Sequence, residues 1–366
     1  MNITRLQVAG FRNLEPGEIV PSNGINIIYG KNAQGKTNLL EAMWLFTGGK
    51  SFRGAKDSEL VRFSEERAQL NLEFFSEERA QKAEIVIQNG KRRAVLNGIE
   101  KNSASSLVGR FCAVIFSPDH LSLIKEGPSN RRNFIDTALC QSKPSYVGLL
   151  HQYQRTLQQR NALLKDIPRH SELLDTLEIW DDKLSRYGGE IMRQRYQYIL
   201  RLEEPAKEIY SGISQNQEVF GAKYQCGVSV AMNSPESFEK SLLDQLKNFR
   251  KEDIFFGFTT AGPHRDDMEV TINGVSARNF ASQGQQRSIV LALKLAEAEL
   301  LSQKIGENPV VFLDDVMSEL DAERQDYLMN HLYQKQVFIT CCEPESVKRL
   351  NEGAKFRMQN GVLTQQ

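Results

Sequence analysis

Several features that mark whole classes of protein are scarce in this chain. Its five cysteines are odd in number and scattered, and none belongs to a Cys-x-x-Cys pair. The number and spacing of the cysteines support neither a disulfide framework nor a zinc site, and they fit a protein of a reducing compartment. Residues 1–30 lack the continuous apolar core of a signal peptide, and no later run is long enough to span a bilayer. We therefore expect a cytoplasmic protein without a membrane segment.

An excess of charge of either sign is also lacking, because 46 lysines and arginines balance 46 aspartates and glutamates. A net charge of zero gives no global indication of nucleic-acid binding, so any such surface must come from local patches. The hydrophobic fraction of 40% is that of an ordinary globular protein. A length of 366 residues allows two or more packed units but not many.

The most informative stretch is a glycine-rich loop between a predicted strand and a predicted helix. The strand is the apolar run at 25–29, and the helix covers 38–46. A strand, a glycine-rich loop and a helix in this order is the P-loop arrangement. The loop reads Gly30-Lys31-Asn32-Ala33-Gln34-Gly35-Lys36-Thr37.

The residue types of this loop suit a polyphosphate. Gly30 and Gly35 let the backbone curl so that several N–H groups point into one concavity. The helix that begins near Lys36 adds the positive end of its dipole. We expect Lys36 to reach the β- and γ-phosphates of a nucleotide and the Thr37 hydroxyl to bind Mg²⁺.

A second motif lies at 309–315, where a buried apolar strand ends in two aspartates. The pattern is typical of a Walker B strand. Asp314 would hold Mg²⁺ directly or through water, and Asp315 would orient or deprotonate the attacking water. Taken alone, the two acidic residues are as consistent with a loop start or a helix cap; the P-loop favours the catalytic interpretation.

A third motif, Ser282-Gln283-Gly284-Gln285-Gln286, resembles the Ser-Gly-Gly-Gln signature loop of ATP-binding-cassette ATPases, with Gln283 in place of the first glycine. Ser282 and Gln285 also fit a capping box at a helix start, which aims the loop at an anion. In that family the loop caps the γ-phosphate of ATP bound to the opposite subunit. The resemblance therefore implies that Ser282, Gly284 and Gln285 contact nucleotide in a second copy. Residues 318–321 fall where that family has its D-loop.

The remaining pattern predicts an α/β fold with a helical insertion. Strands are predicted at 3–8, 68–75, 83–88, 93–96, 111–116, 255–260, 268–272 and 337–340, with hairpin turns at 97–98 and 360–361. Apolar residues at heptad-like spacing predict two long helices on either side of Pro168. We expect an ATPase head formed by 1–143 and 251–366, with an antiparallel β patch, and a helical insertion subdomain at 144–250.

The order of these motifs resembles the SMC-like branch of the ABC ATPases, and further segments resemble the RecF family of bacterial recombinational-repair proteins. Those segments are 10–13, 116–121, 127–136 and 260–267. The resemblance implies an SMC-like head that binds ATP and Mg²⁺, with Arg12 near the nucleotide. It implies ATP-dependent homodimerisation, sequence-independent binding of single-stranded and gapped duplex DNA, and slow DNA-stimulated hydrolysis. It also implies roles in replication, repair and SOS induction, with RecR- and RecO-type proteins as partners in loading recombinase.

Two other functions are weighed against this one. A transporter-type cassette powering a membrane or other protein partner predicts a switch histidine after the last strand, and none follows residue 340, which leaves the γ-phosphate sensor unassigned. A small-molecule P-loop kinase leaves the signature and D-loop matches unexplained. On the residues alone, the basic groups that are candidates for DNA contact are better explained as solvated charge, and the resemblance implies that some of them contact phosphates: Lys91, Arg92, Arg93, Lys50, Arg53, Arg186, Arg193, Arg195 and Arg201.

Overall fold

The computed structural model describes residues 1–101, 103–228, 235–343 and 353–366. Its strands are, in chain order, β1 (Asn2–Ala9), β2 (Gly17–Ile19), β3 (Ile25–Tyr29), β4 (Arg67–Ser76), β5 (Arg79–Gln88), β6 (Lys91–Leu96), β7 (Ile99–Lys101), β8 (Ala113–Phe116), β9 (Phe220–Gln225), β10 (Asp267–Ile272), β11 (Val275–Ser276), β12 (Val310–Asp314), β13 (Val337–Cys341), β14 (Ala354–Gln359) and β15 (Val362–Gln365). Its α-helices are α1 (Lys36–Trp44), α2 (Ser122–Lys125), α3 (Pro128–Ser142), α4 (Ser145–Asp166), α5 (Leu177–Ile213), α6 (Pro235–Asn248), α7 (Arg250–Phe256), α8 (Ala277–Phe280), α9 (Gln283–Ile305) and α10 (Ala322–His331).

One compact unit comprises residues 1–121, 212–216 and 287–366. It contains a mixed sheet in the order β15-β14-β3-β13-β12-β8, in which every strand except β15 is parallel to its neighbour. All five residues of β12 and of β13 are buried, as expected for parallel strands covered on both faces. The P-loop strand β3 therefore lies inside the sheet, beside β13.

The same unit contains an antiparallel sheet in the order β2-β1-β4-β5-β6-β7. Side chains along β4 alternate between buried and more exposed, which is the pattern of a strand with one face on a core. That core joins α1 to both sheets through residues such as Met43, Phe74, Phe312 and Phe356. The antiparallel β patch predicted from the sequence is confirmed, and the turn between β6 and β7 has positive φ at Asn97 and Gly98, as a tight hairpin requires.

The other unit comprises residues 122–211 and 217–286, and so extends beyond 144–250 at both ends. The two predicted long helices are confirmed as α4 and α5, with Pro168 between them. Arg160, at a heptad position of α4, is fully buried and pairs with Asp181 of α5 at 2.7 Å and with Asp253 of α7 at 2.7 Å. A charged side chain can therefore occupy this heptad position, where an apolar residue is expected, because two carboxylates neutralise it.

The strand predicted at 255–260 is wrong, because α7 covers Arg250–Phe256. Acidic residues in its first turn complement the helix dipole, and the Gly257 N–H donates to the Asp253 carbonyl at 2.8 Å to cap its end. A short apolar run fits a helix as well as a strand, which is the cause of the error. The segment 144–250 is also not wholly helical: β9 lies within it and pairs with β10 in a three-stranded antiparallel sheet.

Candidate nucleotide site

The glycine-rich loop is curled around the ammonium group of a lysine. Positive φ angles occur at Gly30 (154°), Ala33 (63°) and Gly35 (111°). A Cβ on Gly30 would lie 2.2 Å from the Met358 carbonyl oxygen, so only glycine fits there. Lys36, of which 6% is exposed, donates from Nζ to the carbonyls of Gly30 at 2.7 Å and Lys31 at 3.1 Å. The loop therefore holds one positive charge within its curve.

The outer half of the loop is braced by the turn between β14 and β15. The Gly361 N–H donates to the Gln34 carbonyl at 3.0 Å, and the Asn360 N–H donates to Gln34 Oε1 at 2.6 Å. From the other side, Asn13 Nδ2 donates to the Ala33 carbonyl at 3.2 Å. A Cβ on Gly361 would lie only 2.0 Å from the Asn13 carbonyl oxygen. The sequence predicted this turn but not its contact with the loop.

The carboxyl ends of β3, β13 and β12 bring the P-loop and the Walker B aspartates together. The Thr37 hydroxyl donates to Asp314 Oδ1 at 2.8 Å, and the Thr340 hydroxyl donates to the same oxygen at 2.8 Å. The Asp315 N–H donates to the Thr340 Oγ1 at 2.9 Å. Burial raises the pKa of Asp314, and the hydrogen bonds from the two threonines oppose that shift. Parallel strands end at one edge of a sheet, which is why these residues meet.

Asp315 adopts a backbone conformation that is uncommon outside glycine, with φ of 58°. Its side chain is half-buried and lines a cavity of about 1000 Å³ together with P-loop residues 32–37. Thr340 was missed in the sequence, since a threonine at the end of a buried strand carries no distinguishing signal. It is the hydroxyl that links Asp314 to Asp315.

Arg12, which the family resemblance places near the nucleotide, lines the same cavity. Its guanidinium donates to both carboxylate oxygens of Glu41, at 2.9 and 3.1 Å, and to the Glu59 carbonyl at 3.1 Å. Glu41 is fully buried and accepts a further hydrogen bond from Ser51. The pairing fixes Arg12 on α1, so the arginine is held in place before any ligand binds.

The predicted signature loop lies in the other compact unit. The Ser282 N–H donates to Gln285 Oε1 at 2.7 Å, and the Gln285 N–H donates to Ser282 Oγ at 3.2 Å. This reciprocal pair is the predicted capping box at the start of α9. Gln285 also donates from Nε2 to Glu218 at 2.6 Å, so its amide is engaged within its own unit. In the D-loop segment, Asp321 caps α10 by accepting from the Arg324 N–H at 2.9 Å.

Two of the segments that resemble the RecF family, 127–136 and 260–267, are joined by hydrogen bonds in this second unit. Arg131 donates to both carboxylate oxygens of Asp267, at 2.6 and 2.8 Å, and Arg132 donates to the Asp266 carbonyl at 2.8 Å. His264 Nδ1 accepts from the Tyr153 hydroxyl at 2.6 Å, and Nε2–H donates to the Thr259 carbonyl at 3.1 Å. This tautomer suits a neutral histidine, since burial lowers its pKa. These contacts give the segments 127–136 and 260–267 a structural role within the second unit.

Two titrating groups in this network change stability in opposite directions with pH. Burial lowers the pKa of His264 from 6.5 to about 4 and raises the pKa of Asp266 from 3.8 to about 6. The lowered histidine pKa contributes stability above pH 6.5, which is lost as the pH falls towards 4. The raised aspartate pKa contributes stability below pH 3.8, which is lost as the pH rises through 6.

Two single variants are therefore expected to diverge from wild type between these limits. As the pH falls, His264→Gln should gain stability relative to wild type, because it lacks the buried histidine whose protonation destabilises the folded wild type. Asp266→Asn should lose stability relative to wild type over the same range. Each of these pKa changes corresponds to about 3 kcal/mol before solvent screening, so urea denaturation near pH 6.5 and near pH 4 can measure the divergence. Identical pH slopes in the three proteins would contradict both pKa shifts.

The candidate DNA-contacting residues divide into buried and exposed groups. The side chain of Arg92 is only 7% exposed, donates to the Gly49 carbonyl at 2.7 Å and pairs with Asp57. Arg195 is buried and pairs with Asp136 at 2.8 Å. Both are neutralised inside the fold, so they cannot serve as a free phosphate-binding surface. Arg193 is half-buried and pairs with Glu190, and the other six candidates are exposed: Lys50, Arg53, Lys91, Arg93, Arg186 and Arg201.

Comparison with known proteins places these features in a family. A model described as the RecF/RecN/SMC N terminal domain matches residues 2–364. A DNA replication and repair protein RecF from Acetivibrio thermocellus is 42% identical over 355 residues, which cover 96% of each chain. Another, from Clostridium kluyveri, is 39% identical over 368 residues and covers 100% of both chains.

Solved structures agree. A structure of the recombination mediator protein RecF with ATP, in the RecFOR pathway, has a TM-score of 0.94 at 37% identity, covering 100% of this chain and 97% of that one. An Smc head domain from Pyrococcus furiosus has a TM-score of 0.56 at 17% identity, covering 100% of this chain and 96% of that one, and shares the fold. Among the described residues, no helix combines the length and apolar character needed to cross a bilayer.

Proposed function

This chain belongs to the family of RecF, RecN and SMC proteins, and we propose that it is an ATP-dependent DNA-binding protein of replication and recombinational repair. The observation that carries the proposal is the hydrogen bond from Thr37 to Asp314, which joins a P-loop to a Walker B strand in a fold shared with RecF. The RecF relatives are named for DNA replication and repair, so a cassette that powers a membrane partner is not favoured.

We propose Mg²⁺-ATP as the ligand of the P-loop. The curled backbone of residues 30–36 and the charge of Lys36 fit a polyphosphate. A solved relative of the same fold, at 37% identity, contains ATP. Thr37 and Asp314 supply a hydroxyl and a carboxylate within hydrogen-bond distance of each other, which are oxygen ligands that Mg²⁺ accepts. When bound there, the ion would offset negative charge on the phosphate oxygens.

Hydrolysis would use groups of this chain that line the cavity. Asp315 would orient the attacking water and accept its proton, while Lys36 would stabilise charge on the phosphates. The hydroxyl of Ser282, with Gly284 and Gln285 at the start of α9, would complete the site on the nucleotide of a second copy. Each copy alone carries an incomplete site, so we propose slow hydrolysis that serves as a switch for a homodimer.

Thr340 is expected to act as a positioning residue in this scheme. Thr340→Val keeps the shape but leaves the Asp315 N–H without its acceptor and removes one of the two hydroxyls that donate to Asp314 Oδ1, so that only Thr37 still donates to it. We expect kcat to fall by about tenfold, the order of one or two lost hydrogen bonds, while the KM for ATP changes little. Thr340→Ser should restore kcat. An unchanged kcat in the valine variant, or an equal loss in KM, would argue against this role.

Partners follow from the same family membership. We propose sequence-independent binding to single-stranded and gapped duplex DNA, with phosphate contacts from exposed residues such as Lys91, Arg93, Arg186 and Arg201. RecO- and RecR-type proteins are the proposed protein partners in the cytoplasm, since the solved relatives belong to the RecFOR pathway.

The experiment that tests this function compares ATP hydrolysis with and without gapped duplex DNA over a series of salt concentrations. We expect DNA to raise the rate at low salt and the effect to fade as salt rises, because phosphate contacts release counterions. Duplexes of unrelated sequence should act alike. A rate that DNA does not change at low salt would contradict the proposal and favour the cassette or kinase alternative.

A further inference from the structure

Phe63 stands at the edge of the cavity that contains the P-loop. Its side chain is fully exposed, so the ring lies in solvent. A single exposed apolar side chain is common and by itself needs no explanation. Phe63 differs because it lines one cavity of about 1000 Å³ together with P-loop residues 32–37. The phosphate-binding loop and an uncovered aromatic ring therefore face the same space.

The turn that carries Phe63 is anchored through the neighbouring residue, Arg62. The Glu65 N–H donates to the Arg62 carbonyl at 3.0 Å, which closes the turn around Phe63. The Arg62 N–H donates to the Gly10 carbonyl at 2.9 Å, and its guanidinium pairs with both carboxylate oxygens of Glu15. Hydrogen bonds to the segment 10–15 thus fix the backbone from which the ring projects.

The same segment 10–15 is attached to the P-loop. Asn13 donates to the Ala33 carbonyl at 3.2 Å, and the Glu15 N–H donates to the Gly361 carbonyl at 3.0 Å. Gly361 in turn donates to Gln34 at 3.0 Å. The main chain at Phe63 is therefore held at a set position relative to the P-loop. A ligand that contacts both the ring and the loop does not have to order this part of the main chain.

We propose that Phe63 is the stacking surface for the base of the nucleoside triphosphate that the P-loop holds. The inference rests on the proposed function, since it requires ATP at the P-loop. An aromatic face accepts any base because every base has a π-face, and a purine offers the larger area. The guanidinium of Arg62, the residue before Phe63, is already paired with Glu15 and does not provide a free group to recognise the edge of the base. The site should therefore prefer purine over pyrimidine triphosphates and discriminate ATP from GTP only weakly.

The test measures equilibrium binding of ATP, CTP and inorganic tripolyphosphate to wild type, Phe63→Ala and Phe63→Trp. Phe63→Ala should lose about tenfold in ATP affinity, the order of one base–aromatic contact, and should keep its affinity for tripolyphosphate. Phe63→Trp should retain ATP affinity. Phe75→Ala is the matched control, because Phe75 is an exposed phenylalanine (46%) on β4 that does not line the cavity.

Two outcomes would overturn the assignment: ATP affinity within twofold of wild type in Phe63→Ala, or an equal loss for ATP and tripolyphosphate. Failure of the proposed function has a different signature. In that case the wild type would not bind ATP, or Lys36→Ala would bind ATP as the wild type does. Because Phe63 is exposed, its replacement should leave the thermal unfolding temperature unchanged, which the same samples can show.

Discussion

Lys36→Ala is expected to abolish nucleotide binding, with an affinity loss of about a hundredfold or more. The ammonium of Lys36 is the buried charge around which the loop is curled, with donors 2.7 and 3.1 Å from two loop carbonyls. Charge-assisted hydrogen bonds to phosphate contribute about 1.5–3 kcal/mol each, so two of them account for a loss of this size. Binding of a fluorescent ATP analogue and the rate of hydrolysis measure it.

The matched control is Lys31→Ala. Lys31 belongs to the same loop and carries the same charge, but its side chain is exposed. Its removal should change ATP affinity severalfold at most, because solvent screens an exposed charge. If the two alanine variants weakened binding equally, the effect would come from the net charge of the loop and not from the position of Lys36.

Complementation between two inactive variants is the second large effect we expect. Lys36→Ala damages the P-loop half of a composite site, and Ser282→Arg damages the half that a second copy would supply. Each variant alone should be inactive, and Ser282→Arg should still bind ATP as a monomer. In an equimolar mixture, a dimer of one variant with the other has one intact site and one site with both defects. Such a dimer should therefore hydrolyse ATP at up to about half the rate of a wild-type dimer.

A mixture of Lys36→Ala with Asp315→Asn provides the control. Both changes lie in the half-site of the P-loop subunit, where Asp315 and Lys36 line one cavity. A dimer of these two variants has one defect in each site, so no activity should return. Recovery in this control, no recovery in the first mixture, or ATP-dependent dimerisation of Ser282→Arg at the wild-type level would each contradict a site shared between copies.

The core of the candidate site could be predicted because its signals are local. A strand, a glycine-rich loop and a helix follow one another in residues 25–46, and they fold as that order requires. The aspartates at the end of β12 were found the same way. Their meeting with Thr37 follows from topology, since parallel strands end at a common edge.

The parts that escaped prediction depend on contacts between distant segments. Nothing near Thr340 indicates that its hydroxyl joins two aspartates of another strand. The turn at 360–361 was predicted as a hairpin, but its contact with Gln34 arises only because β14 pairs with β3. The strand wrongly predicted at 255–260 is an error of a different kind, because it arose from local signals that disagreed. The apolar run favoured a strand, whereas Gly257 and the acidic residues of the first turn favoured a helix.

The position of β3 in its sheet also has a consequence for the order of events during synthesis. Its two neighbours, β13 and β14, come from residues 337–341 and 354–359. The segment that carries the P-loop is made early, yet the strands that hydrogen-bond to it leave the ribosome more than 300 residues later, as the pairing of Ile25 with Val337 illustrates. Such non-local pairing is slow to form. The sheet around the P-loop strand can therefore be completed only late in synthesis, once β13 and β14 have emerged.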